Sequence, residues 1–135
     1  STLKVTQTTQ SKIDSIDFKN LGFGSVFSDH MLVCDYKNGA WGTPEIVPFE
    51  PISLMPSAKI FHYGQSIFEG LKAYKSDKNE ALVFRPLDNW KRMNISADRM
   101  CMPYLPEDIF MEGNSLIIKR ESGSSLFSNN PASMQ

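Results

Sequence analysis

The sequence predicts an α+β domain built as a two-layer α/β sandwich, in which an antiparallel sheet of hairpins packs against helices. Two polar turn signals lie between apolar runs in the first 85 residues, and this pattern predicts hairpins. After Pro86 the spacing of the apolar residues changes to three and four, which predicts packed helices. A chain of 135 residues, of which 41% are hydrophobic, can bury the core that one such domain needs.

The first predicted hairpin turns at Asn38-Gly39. Asn-Gly after an apolar run is a strong signal for a tight turn, so residues 40–41 should begin the returning strand. Several prolines then divide the chain into short extended pieces at residues 45–47 and 52–54. Because proline cannot donate a hydrogen bond to a neighbouring strand, we expect these pieces to be edge strands or connectors.

The second predicted hairpin joins residues 71–75 to residues 81–85 through the polar segment 76–80. Apolar side chains alternate onto both faces of its second strand, where Leu82 and Val83 point in opposite directions. This pattern predicts a central strand that is covered on both faces.

The first predicted helix follows Pro86 and is expected to stop at Pro103. Its buried stripe consists of apolar residues three or four positions apart: Trp90, Met93, Ala97 and Met100. Pro106, followed by two acidic residues, predicts the first turn of a second helix, because the free amide groups there favour proline and acids.

The chain changes character at both ends. Residues 1–20 are mostly polar and should form a flexible leader, so the folded domain is expected to cover residues 21–112. From residue 113 the chain lacks the periodicity of a further helix. We expect residues 113–135 to form a tail, disordered or foreign to the domain, with an extended piece at residues 116–118.

Composition and charge argue against several classes of partner. A net charge of −1 gives no reason to expect nucleic-acid binding, and no apolar run approaches the length of a membrane span. The two cysteines lie far apart and only two histidines are present, so no metal site is expected. Free thiols and the lack of a signal peptide predict a cytoplasmic protein.

A few residues could carry chemistry. His62 could act as a general base, although a histidine in an aromatic, apolar segment is more often structural. Glu69 could be a catalytic carboxylate or a buried hydrogen-bonding anchor, and its sequence context does not decide between the two. Arg85 and Arg92 could bind anions through their guanidinium groups, although a solvated arginine is the commoner case.

Four segments, in order over residues 20–112, resemble the branched-chain amino-acid aminotransferases, which are pyridoxal-phosphate enzymes of fold type IV. The segments are Phe23-Gly-Ser-Val-Phe27-Ser-Asp-His-Met31; Gly39-Ala-Trp41; His62-Tyr63-Gly64-Gln-Ser-Ile-Phe68-Glu69-Gly70-Leu-Lys72-Ala-Tyr74; and the helix motif that begins at Phe84-Arg85-Pro86 and contains Asn89, Arg92-Met93, Ser96-Ala97 and Arg99. The resemblance implies that the chain is an N-terminal, small-domain portion of such an enzyme.

The resemblance also implies roles for individual residues. Arg92 would bind the phosphate of pyridoxal 5'-phosphate. Phe23, Tyr63 and Phe68 match positions that line the pocket for the branched substrate side chain, and Gly70 matches a backbone position close to the substrate. His62 and Glu69 belong to the same motif, and we assign them to structural anchoring.

The activity implied is transfer of the amino group of leucine, isoleucine or valine to 2-oxoglutarate. We also expect a homo-oligomer, a dimer or larger, because the chain would expose apolar surface that the rest of the enzyme covers. In the family, the lysine that forms the Schiff base lies in a later segment, and no lysine of this chain sits in a matching motif. We therefore expect no catalytic residue in this chain, no activity of the isolated chain and no cofactor bound by it alone.

The resemblance weakens after residue 112. The family continues with a long helix and a strand, whereas a strand-like segment follows here almost at once, so the sequence favours either a missing helix or a foreign tail. A different class of function therefore remains open. The chain could be a catalytically dead, self-associating interaction module with the same fold.

Overall fold

The computed structural model of the chain describes residues 3–122 and 126–128, and for residues 122 and 126–128 it describes the backbone alone. Short strands dominate the first half of the described chain, and the two long helices lie in the second half. The elements are β1 (Lys4–Val5), β2 (His30–Val33), β3 (Tyr36–Lys37), β4 (Ala40–Trp41), β5 (Glu45–Pro48), α1 (Lys59–Tyr63), β6 (Ala73–Lys75), β7 (Glu80–Val83), α2 (Pro86–Arg99), α3 (Glu107–Ser122) and β8 (Leu126–Ser128).

The first sheet has the strand order β1-β5-β2. Strand β5 is its central strand, antiparallel to β2 and parallel to β1, so the expectation of an edge strand or connector at residues 45–47 was wrong. Ile46 in β5 is fully buried. Pro48 is tolerated because it ends the strand, where its missing amide proton interrupts no inner pairing. Residues 52–54 form no regular element and are a connector, as predicted.

The first predicted hairpin is confirmed as the antiparallel pair β3 and β4. Asn38 and Gly39 form its turn with φ values of 53° and 80°. Both values lie in the left-handed region, which asparagine and glycine adopt more readily than other residues. The ring of Tyr36 packs edge-on against Trp41 across the pair, with 5.2 Å between the ring centroids.

The second predicted hairpin is confirmed as β6 and β7, and β7 is the central strand of the order β6-β7-β8. Ala81 and Val83 are buried on one face of β7. The other face is only partly covered, because Leu82 is half-buried and Phe84 is exposed. The expectation of a strand covered on both faces is therefore right for one face.

The predicted α+β class is confirmed, but the predicted antiparallel sheet of hairpins is only partly right. The described strands form three small sheets, and two of the strand pairs, β1 with β5 and β7 with β8, are parallel. A parallel pair joins segments that lie far apart in the sequence. Here β1 belongs to the N-terminal arm and pairs with β5, and β8 follows α3 and pairs with β7. Local turn signals cannot predict such pairs.

Helix α2 begins at Pro86, as predicted, with proline in the first turn. Its predicted stripe faces inward: Ala97 is buried, and Trp90, Met93 and Met100 are half-buried. The helix ends at Arg99, before the predicted stop at Pro103. The chain instead leaves the helix at Cys101, whose φ of 53° lies in the left-handed region.

The connector between α2 and α3 is held by side chains from two elements. Trp41 donates an indole hydrogen bond to the carbonyl of Tyr104 (2.8 Å), and Trp90 donates one to the carbonyl of Leu105 (2.8 Å). Asn94 both donates to the Leu105 carbonyl (3.0 Å) and accepts from its amide (2.8 Å). The connector is therefore fixed to the helical layer and to β4 at successive peptide groups.

Helix α3 begins where it was predicted, next to Pro106, but continues to Ser122. The expectations of an extended piece at residues 116–118 and of a missing helix were therefore wrong. Gly113 does not interrupt the helix. A Cβ atom there would clash with the side chain of Leu32, so glycine serves the close approach of α3 to β2.

The predicted limits of the folded domain, residues 21 and 112, remain predictions. Lys4 and Val5 pair with β5, and Ser11 and Lys12 are bonded to Asp29 in the loop before β2, although all four belong to the predicted leader. Part of the predicted tail lies in α3 and β8, and residues 123–125 and 129–135 lie outside the described residues. None of the described helices is long and apolar enough to cross a membrane.

Candidate functional site

The centre of the candidate site is an ion pair between Glu69 and Arg92. Arg92 projects from α2, and its side chain is 67% exposed, whereas the side chain of Glu69 is 7% exposed. The Nε of Arg92 donates to Oε2 of Glu69 at 2.8 Å, and Nη2 donates to Oε1. This two-point contact fixes the plane of the guanidinium group and leaves it facing solvent.

The same carboxylate also joins the loop before β6 to α2. Asn89 donates to Oε1 of Glu69 (3.0 Å) and to the carbonyl of Gly70 (2.9 Å). The amide of Gly70 donates to Oε1 of Glu69 (3.1 Å). Asn89 and Arg92 lie three residues apart on one face of α2, so a single helical turn supplies both partners of the loop.

The pKa of Glu69 is lowered to about 2, chiefly by the hydrogen bonds from Arg92 and also by those from Asn89 and Gly70, against the opposing effect of burial. Glu69 in turn raises the pKa of Arg92. A carboxylate this acidic is a poor proton acceptor near neutral pH. Of the two alternatives left open by the sequence, the contacts of Glu69 support the hydrogen-bonding anchor.

A groove of about 410 Å³ opens beside this ion pair. Its lining residues come from the loop before β6, from β6 and from the start of α2: Gly70, Leu71, Lys72, Tyr74, Phe84, Arg85, Asp88, Asn89 and Arg92. Three of these side chains are cationic and only Asp88 is acidic. The groove therefore suits an anion, which is the chemistry predicted for Arg85 and Arg92.

Arg85 and Arg92 are placed differently within the groove. Arg85 is bonded to Asp88 one turn later (2.5 Å), and its charge is therefore partly neutralised. Its backbone occupies the left-handed region, with φ of 47°. Within the described residues, Arg92 has its only carboxylate partner buried behind it, so its outer edge faces the groove. Arg92 is thus the better anion-binding candidate of the two.

Asn89 and Lys72 were not singled out as site residues from the sequence alone. A signal for Asn89 did exist, because Asn89 precedes Arg92 by one helical turn within the quoted helix motif. Lys72 gave no such signal. Its place in the groove depends on how the loop before β6 packs against α2, and local spacing does not encode that packing.

The aromatic residues predicted to line a substrate pocket are not enclosed by the described part of the chain. Phe23 is fully exposed, Tyr63 is 82% exposed and Phe68 is 91% exposed. Gly70 faces open space, since a Cβ atom there would meet nothing within 4 Å. The structure thus brings Gly70 beside Arg92, but the described residues do not enclose the three rings in a shared pocket.

His62 lies in α1 and forms a structural contact. Its Nε2 is 2.7 Å from the carbonyl of Pro56, which can only accept, so this nitrogen donates. The next residue but one, Gly64, ends the helix in the left-handed region with φ of 60°. The geometry supports the structural role expected for His62.

Neither thiols nor metal ligands form a second centre in the described part of the chain. Cys34 and Cys101 are both free thiols. Among the described residues, no group of three or more His, Cys, Asp or Glu side chains could hold a metal ion. The Glu69–Arg92 groove is therefore the strongest candidate site.

Comparison with known proteins gives a consistent result. The chain is 44% identical to branched-chain-amino-acid transaminase 1 of Bacillus subtilis over 119 residues, which is 82% of this chain and 33% of the relative. It is 40% identical to the branched-chain-amino-acid aminotransferase of Helicobacter pylori over 85% of this chain and 36% of the relative. It is 46% identical to the cytosolic branched-chain-amino-acid aminotransferase of Saccharomyces cerevisiae over 81% of this chain and 29% of the relative.

No family model matches the chain. The chain spans about a third of the length of the curated relatives that it matches, and the matches fall in their N-terminal region. The identity is high and covers most of the described domain. The chain therefore has the sequence of an N-terminal portion of a branched-chain-amino-acid aminotransferase.

Proposed function

We propose that the whole protein transfers the amino group of leucine, isoleucine or valine to 2-oxoglutarate with pyridoxal 5'-phosphate, and that this chain contributes the small domain of fold type IV. The names of the relatives support amino transfer from branched-chain amino acids. The observation that carries the proposal is the exposed guanidinium of Arg92, which the buried Glu69 orients beside a cationic groove.

The residues present fit the phosphate of the proposed cofactor. Arg92 is held from behind through Nε and Nη2, so its remaining donors are free to bind an anion in the groove. Lys72 and Arg85 line the same groove and add positive potential. When bound, pyridoxal phosphate supplies the electron sink that amino-group exchange requires.

The chain's own contribution is binding and orientation. Arg92 would hold the phosphate and Gly70 would place its backbone near the substrate, while Glu69 and Asn89 keep both in register. No lysine here matches the one that holds the cofactor covalently in this family. The isolated chain should therefore neither turn over substrate nor retain the cofactor.

The proposed substrate pocket requires additional surface. A branched aliphatic side chain is bound by apolar walls, and Phe23, Tyr63 and Phe68 are available for such walls because they are exposed. Exposed rings of this kind also favour association. We therefore propose that the functional protein is a homo-oligomer, with a dimer as its smallest form.

The test uses the full-length protein with Arg92→Ala and Arg92→Lys, and with Arg99→Ala as a matched control on the same helix. Arg92→Ala should weaken cofactor retention by about tenfold or more, because a charge-assisted contact is lost. Arg92→Lys should have a smaller effect in the same direction, because it keeps the charge and loses the planar fork. Cofactor release is followed by absorbance, and turnover of leucine with 2-oxoglutarate is measured alongside.

Two results would contradict the proposal. If full-length wild type shows no amino transfer from any branched-chain amino acid, the function is wrong. If wild type is active but both Arg92 variants retain the cofactor as tightly as Arg99→Ala does, the function stands and the role of Arg92 is wrong. Arg85 would then be the next residue to test.

A further inference from the structure

His30 is a buried histidine whose two ring nitrogens have opposite hydrogen-bonding roles. It is only 6% exposed. Its Nε2 lies 3.0 Å from the backbone nitrogen of Thr8, and because an amide N–H can only donate, Nε2 must accept and carries no proton. Its Nδ1 lies 2.7 Å from Oε1 of Glu121 and donates to that carboxylate. The contacts therefore require a neutral ring with its proton on Nδ1.

This contact belongs to a cluster that holds the N-terminal arm, residues 4–15, against β2 and the loop before it, and Glu121 of α3 is bonded to the same two residues of that region. The second oxygen of Glu121 accepts a hydrogen bond from the amide of Asp29 (2.9 Å). The carboxylate of Asp29 accepts from Ser11 Oγ (2.6 Å) and from the amide of Lys12 (3.0 Å). Besides the pairing of β1 with β5, the arm is thus tied by His30 at Thr8 and by Asp29 at residues 11–12.

The tied arm ends beside an apolar cleft. A cleft of about 260 Å³ lies between the end of the arm and the loop before β2. Its apolar lining comes from both sides: Ile13, Ile16, Phe18, Leu21, Val26 and Phe27. Asp29 and Glu121 also line it, so the cluster that binds the arm stands at the cleft. Because Ile13 belongs to the arm, movement of the arm would change one wall of this cleft.

We infer that His30 is a proton-sensitive contact that releases the N-terminal arm at Thr8 when Nε2 takes up a proton. A protonated Nε2 faces the amide N–H of Thr8 donor to donor, so that hydrogen bond is lost. The contact from Nδ1 to Glu121 becomes an ion pair and is kept. Acidification thus detaches the arm at Thr8 while α3 stays docked on β2.

The charged groups around the ring support this assignment. Glu121 faces His30 from α3, and Asp29 precedes it in the chain, with Lys12 bonded to Asp29 from the arm. On β5 the residue paired with His30 is Pro48, which does not titrate. The hydrogen bonds from Ser11 and Lys12 lower the pKa of Asp29, so Asp29 stays ionised where histidines change charge.

The experiment measures amide hydrogen exchange of residues 4–15 in the full chain between pH 8 and pH 5, the range in which histidine changes its charge, with the intrinsic effect of pH removed. Wild type should lose protection at Thr8 by about tenfold across this range. In His30→Gln the side-chain oxygen can still accept from Thr8 but does not titrate, so protection should not depend on pH. The control His62→Gln should behave as wild type, because His62 donates to a carbonyl in either charge state.

A measurement on wild type alone keeps the inference falsifiable if His30→Gln does not fold. The ring nitrogens of His30, followed by nuclear magnetic resonance, should titrate with the same midpoint as the loss of protection at Thr8. Different midpoints would overturn the inference. So would protection at Thr8 that is constant over the range in wild type, or an equal loss in wild type and a folded His30→Gln.

Discussion

The Glu69–Arg92 contact and the aromatic rings proposed for the substrate pocket differ in how much of their environment the described chain supplies. Glu69 is 7% exposed at its side chain and receives hydrogen bonds from Arg92, Asn89 and Gly70. Phe68, next to it in sequence, is 91% exposed. Two adjacent residues of one motif thus differ: the described chain encloses the side chain of Glu69 and leaves the ring of Phe68 exposed.

The difference reflects the physics of the two kinds of site. A charged group is oriented by a few directional hydrogen bonds, and one helical turn of α2 supplies them. An apolar pocket needs enclosing walls on several sides, because its contribution grows with the area removed from water. The anion-binding half of the proposed site can therefore be organised within a small domain, whereas the apolar half requires further surface.

The substitution expected to reduce stability most is Glu69→Ala. We expect a loss of about 1 to 3 kcal/mol in the free energy of unfolding, because the substitution leaves the donors of Asn89 and Arg92 without their acceptor. Urea denaturation measures the loss. Glu112→Ala, which removes an exposed acid of α3, is the control and should change stability little. Equal effects of the two substitutions would show that the network adds no stability.

Acidification should weaken the same network without a mutation. The folded-state pKa of Glu69, about 2, lies below its ordinary value of 4.5, so the stabilisation is complete above about pH 4.5 and is lost as the pH falls towards 2. Because Arg92 is exposed to solvent, we expect a loss of only about 1 kcal/mol. The stability of wild type minus that of Glu69→Gln, measured from pH 6 to pH 2, should decrease over this window. A constant difference would contradict the assignment.

Asn89→Ala should have a smaller effect than Glu69→Ala, of about 0.5 to 1 kcal/mol. Asn89 ties the loop to α2 through Glu69 and the carbonyl of Gly70, but the contact with Arg92 remains after its removal. Thermal unfolding of Asn89→Ala is compared with that of Lys91→Ala, an exposed position on the same helix. A loss as large as that of Glu69→Ala would mean that Asn89, rather than Arg92, is the main partner.

Phe68→Ala should change the stability of this chain by less than about 0.5 kcal/mol, because its ring is already in water. Phe110→Ala is the matched substitution in the core, where the ring is only 7% exposed, and should cost about 3 kcal/mol. Urea denaturation of both variants gives the comparison. A large loss for Phe68→Ala would show that the ring is packed and that the apolar half is already formed.

The sequence predicted the elements whose signals are local. Asn38-Gly39 marks a turn by itself, and Pro86 and Pro106 mark helix starts, so the first hairpin turns at the expected residues and both long helices begin at or next to the expected prolines. The parallel pairing of β1 with β5 was not predicted, because Lys4 and Val5 carry no periodic signal and meet their partners only in the folded chain.

Two further outcomes show why the rest was not predictable. Gly113 resembles a break in a helical pattern, yet its lack of a side chain accommodates Leu32, a contact that only the packed structure reveals. The role of Glu69 was undecided, because nothing in a single sequence shows that Arg92 faces it from 23 positions away. The predicted anion-binding residue itself followed from resemblance, and the contacts explain how it is oriented.

The two tryptophans of the chain give its connector an optical signal. Both indoles, Trp41 and Trp90, donate to neighbouring carbonyls of the segment between α2 and α3. Their fluorescence should therefore report the docking of this one segment and not an average over the molecule. Emission that shifts before the far-ultraviolet circular dichroism changes would mean that the connector detaches while the helices persist. Tryptophan fluorescence and circular dichroism together therefore report whether the connector detaches before the helices unfold.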